Sequence, residues 1–556
     1  MNQSLSMEIT FPDGKRLSIR KGSTLLDILR RSRLQSAMPV VAAKINNRLT
    51  NLRHKLRVDS RVEFIDCVHP EGFRVYQSSL VYLLGMVVER LFPRAEMKVE
   101  HSLSKGLYCE LIKDTPLTKD ELRRIEAEMR DLIAQDLRLD KEKTYLDEAR
   151  QFFRTTGQED KIRLFRHSNP HTIDIYFCNG YQNYSDCPLV PSTGLLNLFS
   201  LVYYSPGFIL IMPEPYAVEV GEAATVPEFI SQPNLFRVFQ EYGQWLDILG
   251  LGEVGELNER VVAGAAPEII RISEALHEKK IAQLADQSVG SRIVLIAGPS
   301  SSGKTTFAKR LADQLRVDGL QPEVISLDDY FLDREQTPKD SHGQYDFESI
   351  RALNIDLLHE HFERLLEGQP VSMPRYNFHT GCSEPDHRTI TPSATTILLY
   401  EGIHAINPEL MRDLPMHQIK RIYVSPLTAL SMDHHNRIPT TDVRMLRRIV
   451  RDYLFRGYDA LVTLQRWRSV RRGETAYIFP YQKDADLFFN SSLVYELAVL
   501  KRCAEPLLLR ISTEHSEYSE ARRLLKFLSY FQDIPPDSVP DNSILREFIG
   551  ASAFRY

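Results

Sequence analysis

The chain has 556 residues, which is too long for one hydrophobic core and predicts about three to four domains. Its net charge of -5 gives no global reason to expect nucleic-acid binding, so any basic surface must be local. Six cysteines without C-x-x-C spacing argue against a disulfide framework or a zinc ribbon. The start of the sequence has no apolar signal-peptide core, and its most apolar stretch, 195–212, is interrupted by polar residues and Pro206-Gly207. We therefore expect a cytoplasmic protein that does not span a membrane.

Residues 1–67 predict a small mixed α/β domain. Hairpin arms are expected at 7–11 and 16–19, and further strands at 40–45 and 62–65. Thr24 and Asp27 have capping-box spacing, so a helix is expected to begin there. Hairpin, helix and further strands follow a β-grasp order, which resembles the TGS domain at the front of threonyl-tRNA synthetases.

Residues 68–235 resemble the second, editing-type domain of threonyl-tRNA synthetases. The resemblance rests on a helix from Ser78 that ends before Pro93, and on the V-P-S-T-G run at 190–194. The four positions where the family has zinc ligands are occupied here by Ser78, Tyr82, Ser185 and Leu189. Because zinc sites need imidazole or thiolate donors, we expect an α+β fold that is retained and metal-dependent editing that is lost. The alternative is a relocated metal site that uses Cys178, Cys187 or His171.

Residues 236–290 carry no recognisable chemistry and predict a helical connector. Apolar residues recur at helical spacing from Ile269 to Ile281, and Pro267 is typical of a helix start. The remaining residues, 291–556, are expected to form one further domain.

A phosphate-binding loop is the most specific signal in the sequence. Residues 298–305 spell G-P-S-S-S-G-K-T directly after the apolar run 293–297. Strand, glycine-rich turn and helix start form the geometry in which backbone N–H groups and a helix N-terminus surround a phosphate. Lys304 is expected to reach the β/γ-phosphates, and the Thr305 hydroxyl to ligate Mg²⁺. The predicted ATP-binding residues are Gly298, Pro299, Ser300, Ser301, Ser302, Gly303, Lys304, Thr305 and Thr306.

Two carboxylates follow the next predicted strands. The strand 323–327 runs into Asp328, and the strand 397–400 runs into Glu401. Reactive groups cluster at the carboxyl ends of parallel strands, so we expect Asp328 to accept the proton of an attacking hydroxyl. Glu401 is expected to hold Mg²⁺ directly or through water. The alternative for Asp328 is a turn or helix cap, and Asp329 is expected to point away from it in an extended segment.

A helix is expected over 354–367, capped by Asn354, with His359 and His361 on its solvated side. The segment 373–379 predicts a polar-aromatic loop that can stack on a base, the alternative being a surface loop with one buried tyrosine.

The densest basic feature comprises Arg444, Arg447, Arg448, Arg451 and Arg456, most of them on one helical face. Arginine forks bind phosphate oxygens, and a helix closing over ATP would use them against the charge that develops in transfer. The alternative is a solvated or RNA-facing surface.

Taken together, these motifs resemble the uridine kinase and phosphoribulokinase family. The matching pieces are G-P-S-S-S-G-K-T-T at 298–306, S-L-D-D-Y-F at 326–331, Y-D-F at 345–347, P-R-Y-N-F-H at 374–379, Y-E-G-I at 400–403 and R-R-I-V-R-D-Y-L-F-R-G at 447–457. The resemblance implies an α/β P-loop kinase with a parallel sheet, with ATP and Mg²⁺ as cofactors.

The resemblance also implies roles for individual residues. Asp328 would be the general base toward a nucleoside 5′-hydroxyl, and Asp346 would hold the ribose. Tyr376 and His379 would line the base pocket. The arginines of 447–457 would form a lid, with Arg447 on the substrate and Arg451 and Arg456 in catalysis. His379 lies three residues after Tyr376, whereas the family usually places this histidine five residues after, so the base preference is open.

The sequence thus favours ATP-dependent phosphorylation of a nucleoside, uridine or cytidine first, at the 5′-hydroxyl. One alternative is a kinase for another small hydroxyl substrate such as a sugar phosphate, for which the segment 375–388 offers basic residues. Another is an RNA- or ribosome-associated ATPase switch, favoured by a local basic excess in the first 67 residues. RNA contact through the N-terminal domains and assembly into a homo-oligomer are also left open.

Overall fold

The computed structural model describes residues 6–32, 34, 36, 38–168, 170–213, 225–339, 343, 345–378, 380–412 and 414–556. Among the helices in these ranges, none is both long and apolar enough to cross a lipid bilayer. The described strands form five sheets.

The N-terminal sheet has the strand order β2-β1-β5-β3-β4, and β1 and β5 pair in parallel. Its elements are β1 (Ser6–Thr10), β2 (Arg16–Arg20), α1 (Leu25–Ser32), β3 (Val40–Ile45), β4 (Arg48–Asn51) and β5 (Ser60–Asp66). The predicted capping box is confirmed, because Thr24 N–H donates to the Asp27 carboxylate and Asp27 N–H donates to Thr24 Oγ1, both at 3.1 Å. β4 was not predicted. It follows β3 after Asn46-Asn47, whose φ angles of 48° and 61° suit a tight hairpin turn.

The next part of the chain contains two antiparallel sheets, ordered β11-β12-β7-β6 and β10-β9-β8. Its elements are α2 (Pro70–Leu91), β6 (Glu96–Leu103), β7 (Gly106–Ile112), α3 (Lys119–Ala134), β8 (Asp140–Tyr145), α4 (Leu146–Thr155), α5 (Glu159–Leu164), β9 (Thr172–Cys178), β10 (Tyr181–Tyr184), β11 (Ser200–Tyr204) and β12 (Gly207–Ile211). Within the apolar stretch 195–212, β11 and β12 pair as an antiparallel hairpin. The helix expected from Ser78 starts earlier, at Pro70, where the His69 side chain accepts a hydrogen bond from Glu71 N–H at 3.2 Å.

Three helices follow, α6 (Pro233–Leu249), α7 (Val254–Val262) and α8 (Ala266–Asp286). They confirm the helical prediction, although the first begins slightly before the expected boundary. α8 packs on the C-terminal part of the chain through Arg310, whose guanidinium bonds Glu278 at 2.6 Å and Glu274 at 3.4 Å.

The C-terminal part is built on a parallel sheet with the order β14-β17-β13-β18-β19. Its elements are β13 (Ile293–Ala297), α9 (Lys304–Val317), β14 (Gln321–Ser326), α10 (Ile355–Leu366), β15 (Val371–Asn377), β16 (Cys382–Ile390), β17 (Thr396–Glu401), β18 (Ile419–Ser425), α11 (Thr440–Phe455), α12 (Ala460–Tyr477), β19 (Leu487–Asn490), α13 (Glu496–Leu508), α14 (Tyr518–Leu528) and α15 (Arg546–Ile549). All five residues of β13 are buried, as expected of a central parallel strand covered on both faces.

Three local expectations in this part were wrong. Leu327–Tyr330 is a 3₁₀ turn, not an extended end of the second strand, because the Ser326 hydroxyl caps it by accepting from Asp328 N–H. The segment expected as a loop after Met373 is largely strand β15, paired with β16. His361 is not solvated. It is buried and its Nδ1 lies 2.9 Å from the Tyr330 hydroxyl.

Candidate active site

The glycine-rich loop between β13 and α9 is tightly enclosed. A Cβ at Gly298 would clash with the carbonyl oxygen of Val424 in β18. Gly303 has a φ of 84°, in the left-handed region, and ends the loop as the N-cap of α9. With no side chain at this cap, the backbone N–H groups of the first turn of α9 have no local acceptor and can face an anion.

Lys304 lies at the centre of the loop and is almost completely buried. Its Nζ donates to the carbonyl oxygen of Pro299 at 3.2 Å. Burial lowers its pKa, while the charges of Glu401 and Asp328 act in the opposite direction. A buried ammonium whose acceptor is a neutral carbonyl is suited to receive phosphate oxygens.

Glu401 at the end of β17 joins the loop to the second strand. The Thr305 hydroxyl donates to Glu401 Oε1 at 3.0 Å, and the Ser326 hydroxyl donates to the same oxygen at 3.2 Å. Burial is the main reason that the pKa of Glu401 is raised to about 7; Asp328 adds to the shift and Lys304 opposes it. These oxygens are the donors that Mg²⁺ prefers, and Mg²⁺ takes few protein ligands when phosphates complete its shell. The predicted pair of Thr305 and Glu401 therefore fits the ion.

Asp328 and Asp329 occupy the 3₁₀ turn after β14. The charge of Asp328 influences Lys304, Glu401 and Arg456, so it belongs to the same cluster as the phosphate loop. Asp329 faces the neighbouring hairpin, where its carboxylate accepts from Tyr376 N–H at 3.4 Å. The two adjacent aspartates thus have separate surroundings, one among charges and one against β15.

Aromatic rings gather beside Asp328. We call this group the aromatic cluster: Phe331, Tyr345, Phe347, Tyr376 and Phe378. Tyr376 is buried, and its ring centroid lies 5.5 Å from that of Phe331 and 5.1 Å from that of Phe378. Asp346 enters the same region, where its carboxylate accepts from Glu348 N–H at 3.2 Å. His379, the other residue expected in the base pocket, lies outside the described residues.

Two arginines of α11 support the loop from behind. Arg444 donates to the carbonyl oxygen of Ser300 at 2.9 Å and is ion-paired with Glu474. Arg447 is fully buried and donates to Glu496 at 2.7 Å and to the carbonyl oxygen of Ser491 at 2.8 Å. The expectation that Arg447 contacts the substrate does not agree with this placement, because its guanidinium is engaged inside the protein.

Three further arginines surround one carboxylate. Asp452 is contacted by Arg448 at 3.2 Å, by Arg451 at 2.9 Å and by Arg456 at 3.7 Å. The charge of Arg451, followed by burial, lowers the pKa of Arg456 to about 10. The Arg456 guanidinium also lies 5.5 Å from the ring centroid of Phe378. The group carries an excess of positive charge between the loop and the aromatic cluster, where a phosphoryl group in transfer would be stabilised.

Two carboxylates in this region were not singled out from the sequence. Glu348 has a pKa raised by burial and senses the charges of Arg448, Asp328 and Asp346. Glu547 comes from far along the chain and hydrogen-bonds to Thr306 in the first turn of α9. No local sequence signal marks either residue, since both reach the site through tertiary packing.

The parallel sheet, the glycine-rich loop and the carboxylates at the strand ends define a P-loop kinase domain. Residues 293–497 of this domain match the family described as "Phosphoribulokinase / Uridine kinase family". Among solved structures, "Structure of a Possible Uridine Kinase from Bacillus stearothermophilus" is 19% identical and covers 38% of this chain and 97% of that chain, with a TM-score of 0.27. D-glycerate 3-kinase from Cryptococcus neoformans is 14% identical, covers 49% of this chain and 89% of that chain, and has a TM-score of 0.20. Likenesses at these TM-scores carry no weight for function.

The N-terminal part is similar to a segment of threonine–tRNA ligases. The ligase of Pelobacter propionicus is 30% identical over 197 residues, which cover 35% of this chain and 31% of that protein. The ligase of Alkalilimnicola ehrlichii is 29% identical over 194 residues, which cover 35% and 30%. The chain therefore spans less than a third of the length of these relatives.

Three of the four positions that hold zinc ligands in the resembled editing domain are engaged in internal packing here. The Tyr82 hydroxyl donates to the carbonyl oxygens of Tyr176 and Tyr181 at 2.9 and 3.2 Å. Ser185 Oγ donates to the carbonyl oxygen of Cys187 at 2.8 Å, and Leu189 is fully buried. Within the described residues, no group of three or more His, Cys, Asp or Glu side chains is arranged to hold a metal ion.

Proposed function

We propose that this protein transfers the γ-phosphoryl group of ATP to the 5′-hydroxyl of a nucleoside, uridine or cytidine first, giving the nucleoside monophosphate and ADP. The observation that carries the proposal is the position of Asp328. Its carboxylate belongs to the charged cluster of the phosphate loop, and its 3₁₀ turn runs directly into Phe331 of the aromatic cluster. A base that lies between a phosphate site and a cluster of aromatic rings suits an acceptor with a hydroxyl and a flat ring.

In this mechanism, Asp328 accepts the proton of the 5′-hydroxyl while the oxygen forms a bond to the γ-phosphorus. The bond from the γ-phosphorus to the bridging oxygen breaks, and ADP leaves with that electron pair. Lys304, Arg451 and Arg456 stabilise the charge on the phosphate oxygens. Mg²⁺, held by oxygens of Thr305 and Glu401, would supply further charge neutralisation.

A phosphate-transfer screen tests the proposal. The full chain is incubated with ATP and Mg²⁺ and with uridine, cytidine, adenosine, guanosine or a sugar phosphate, and products are identified by mass spectrometry. The expected result is phosphorylation of a pyrimidine nucleoside, with ³¹P NMR placing the phosphate on O5′. Transfer only to the sugar phosphate would support the alternative acceptor. The pairing of Arg388, a basic residue of the hairpin, favours the nucleoside over the sugar phosphate. Arg388 is paired with Glu323 at 2.5 Å and donates to the carbonyl oxygen of Val324, so its charge is already engaged within the protein.

A second candidate function is RNA contact through the N-terminal domains, with the kinase part as an ATP-dependent switch. Two observations favour it: the similarity to threonine–tRNA ligases and the basic excess in the first 67 residues. Binding of tRNA or ribosomal RNA whose affinity falls steeply with salt would support this role. A cytoplasmic location, a homo-oligomeric state and the domain boundaries at 67, 235 and 290 stay predictions.

A further inference from the structure

The segment 540–556 lies directly on the phosphate loop. The Glu547 carboxylate accepts hydrogen bonds from Thr306 N–H at 3.1 Å and from Thr306 Oγ1 at 2.8 Å. The Tyr556 hydroxyl lies 2.8 Å from Thr306 Oγ1. Lys309, one turn further along α9, donates to the carbonyl oxygen of Arg555, and its Nζ is 4.5 Å from the ring centroid of Tyr556. The segment therefore covers the first two turns of the phosphate-loop helix.

The Thr306 N–H is one of the unpaired donors at the start of a helix. Gly303, the N-cap residue, has no side chain to accept from it, so the acceptor comes from outside the helix. In phosphate loops these first-turn donors serve the α- and β-phosphates. The Glu547 carboxylate is an anion with oxygen acceptors on those same donors, so it holds the position of a phosphate group.

A carboxylate and a phosphate group cannot share this position, because they compete for one set of donors and repel each other. The charge of Glu547 also reaches the centre of the site, where it acts on Lys304 and on Glu401. We propose that Glu547, together with Tyr556, is an autoinhibitory plug of the nucleotide site, which ATP must displace in order to bind. This inference rests on the proposed ATP-dependent function and adds a regulatory device to the same site.

The packing of the segment shows which part can move. Ile544, Leu545 and Phe548 are fully buried, so the backbone of α15 is fixed in the core. Glu547 is only half-buried, and Tyr556 is 58% exposed. Displacement therefore requires a new rotamer of Glu547 and release of the last few residues, with α15 left in place. The apparent Kd for ATP is the intrinsic Kd divided by the fraction of molecules in which the plug is open, so a mostly closed plug weakens ATP binding.

The alternative is a purely structural role, in which Glu547 is a helix cap whose loss destabilises the fold without affecting ATP. The two roles differ in the sign of the effect on affinity. We expect Glu547→Gln and Glu547→Ala to bind ATP and inorganic tripolyphosphate about tenfold more tightly than the parent protein, as the closed fraction is removed. Glu514→Gln is the matched control, since it removes the same charge at an exposed position. Its affinities should equal those of the parent.

Isothermal titration calorimetry of the full chain without acceptor measures these affinities, with Lys304→Ala as the control for binding at the loop. If folded Glu547 variants bind ATP with affinity equal to or weaker than that of the parent, the plug is overturned. If the parent binds ATP and Lys304→Ala abolishes that binding, the proposed function still stands. If neither parent nor variants bind ATP, both proposals fail.

Hydrogen exchange of the unmodified protein gives an independent readout. ATP should speed exchange at Ala553, whose N–H donates to the carbonyl oxygen of Asp541 at 2.9 Å, and protection of this amide by ATP contradicts displacement.

Discussion

The hydroxyl of Thr305 donates to the carboxylate of Glu401 across 3.0 Å, and this contact joins the start of α9 to the end of β17. The two residues lie 96 positions apart in the chain, and the order of the parallel sheet brings them together. Because β13 and β17 are neighbours, the residues that follow them meet at one sheet edge, where ligands bind in open α/β folds. The contact therefore marks the position at which phosphate, cation and acceptor would meet.

Lys304→Ala should remove most of the phosphoryl-transfer activity. Its ammonium is the buried cation of the loop, and removing such an electrostatic contact costs about 3 kcal/mol or more, roughly a hundredfold in kcat/KM. Steady-state kinetics with ATP as the varied substrate measures the loss. Lys279→Ala, at an exposed position of α8, is the matched control and should leave kcat/KM unchanged. Near-normal turnover of Lys304→Ala would contradict the role given to the loop.

Asp328→Asn should retain ATP binding and lower kcat by roughly 10²–10⁴-fold, the range for a lost general base. Asp329→Asn should leave kcat much closer to the parent value, because its carboxylate accepts from the backbone of Tyr376 and supports the aromatic cluster. Its effect is expected on KM for the acceptor. Comparison of kcat with KM for both variants decides the assignment. A larger loss of kcat in Asp329→Asn would transfer the base role to that residue.

The surroundings of His434 should make the free energy of unfolding depend on pH. Burial alone would lower its pKa, but hydrogen bonds to Glu253 and Glu96, both at 2.6 Å, and the charge of Asp160 raise it from 6.5 to about 9. A histidine with a raised pKa stabilises the fold fully below pH 6.5, and the contribution is lost as pH rises through about 9. The free energy of unfolding should fall by about 3 kcal/mol over that window.

Denaturant titrations at several pH values measure this slope. His434→Gln should flatten it, whereas His417→Gln, at an exposed position, should not. The carboxylates that pair with His434 are Glu96 in β6 and Glu253, the residue before α7, so His434 links these two elements. If the free energy of unfolding of the parent protein did not change between pH 6.5 and about 9, this contact between β6 and α7 would contribute no charge-dependent stability.

Local signals in the sequence were sufficient for the phosphate loop, for the capping box at Thr24 and for the strand that ends at Glu401. Each depends on residues close together in the chain. The exceptions depend on partners that are distant in sequence. The sequence predicts Arg447 as a phosphate ligand, but in the structure its guanidinium donates to Glu496 and to the carbonyl oxygen of Ser491. Glu547 reads as an ordinary helical glutamate, because nothing near it in sequence indicates the contact with Thr306.

The editing-like part should contain no stoichiometric zinc and should not hydrolyse mischarged tRNA. Beside the substituted ligand positions, Asp186 is held by Lys526 at 2.8 Å and by the Tyr530 hydroxyl at 2.9 Å, both from the kinase part. Burial raises the pKa of the Cys178 and Cys187 thiols to about 11, so neither is a ready thiolate. Elemental analysis of chelator-washed protein measures the zinc content, and a deacylation assay with mischarged tRNA measures the hydrolysis. One zinc ion per chain that disappears in Cys178→Ser or Cys187→Ser would establish a relocated site. In that case the N-terminal half would be treated as catalytic rather than as a binding or regulatory module.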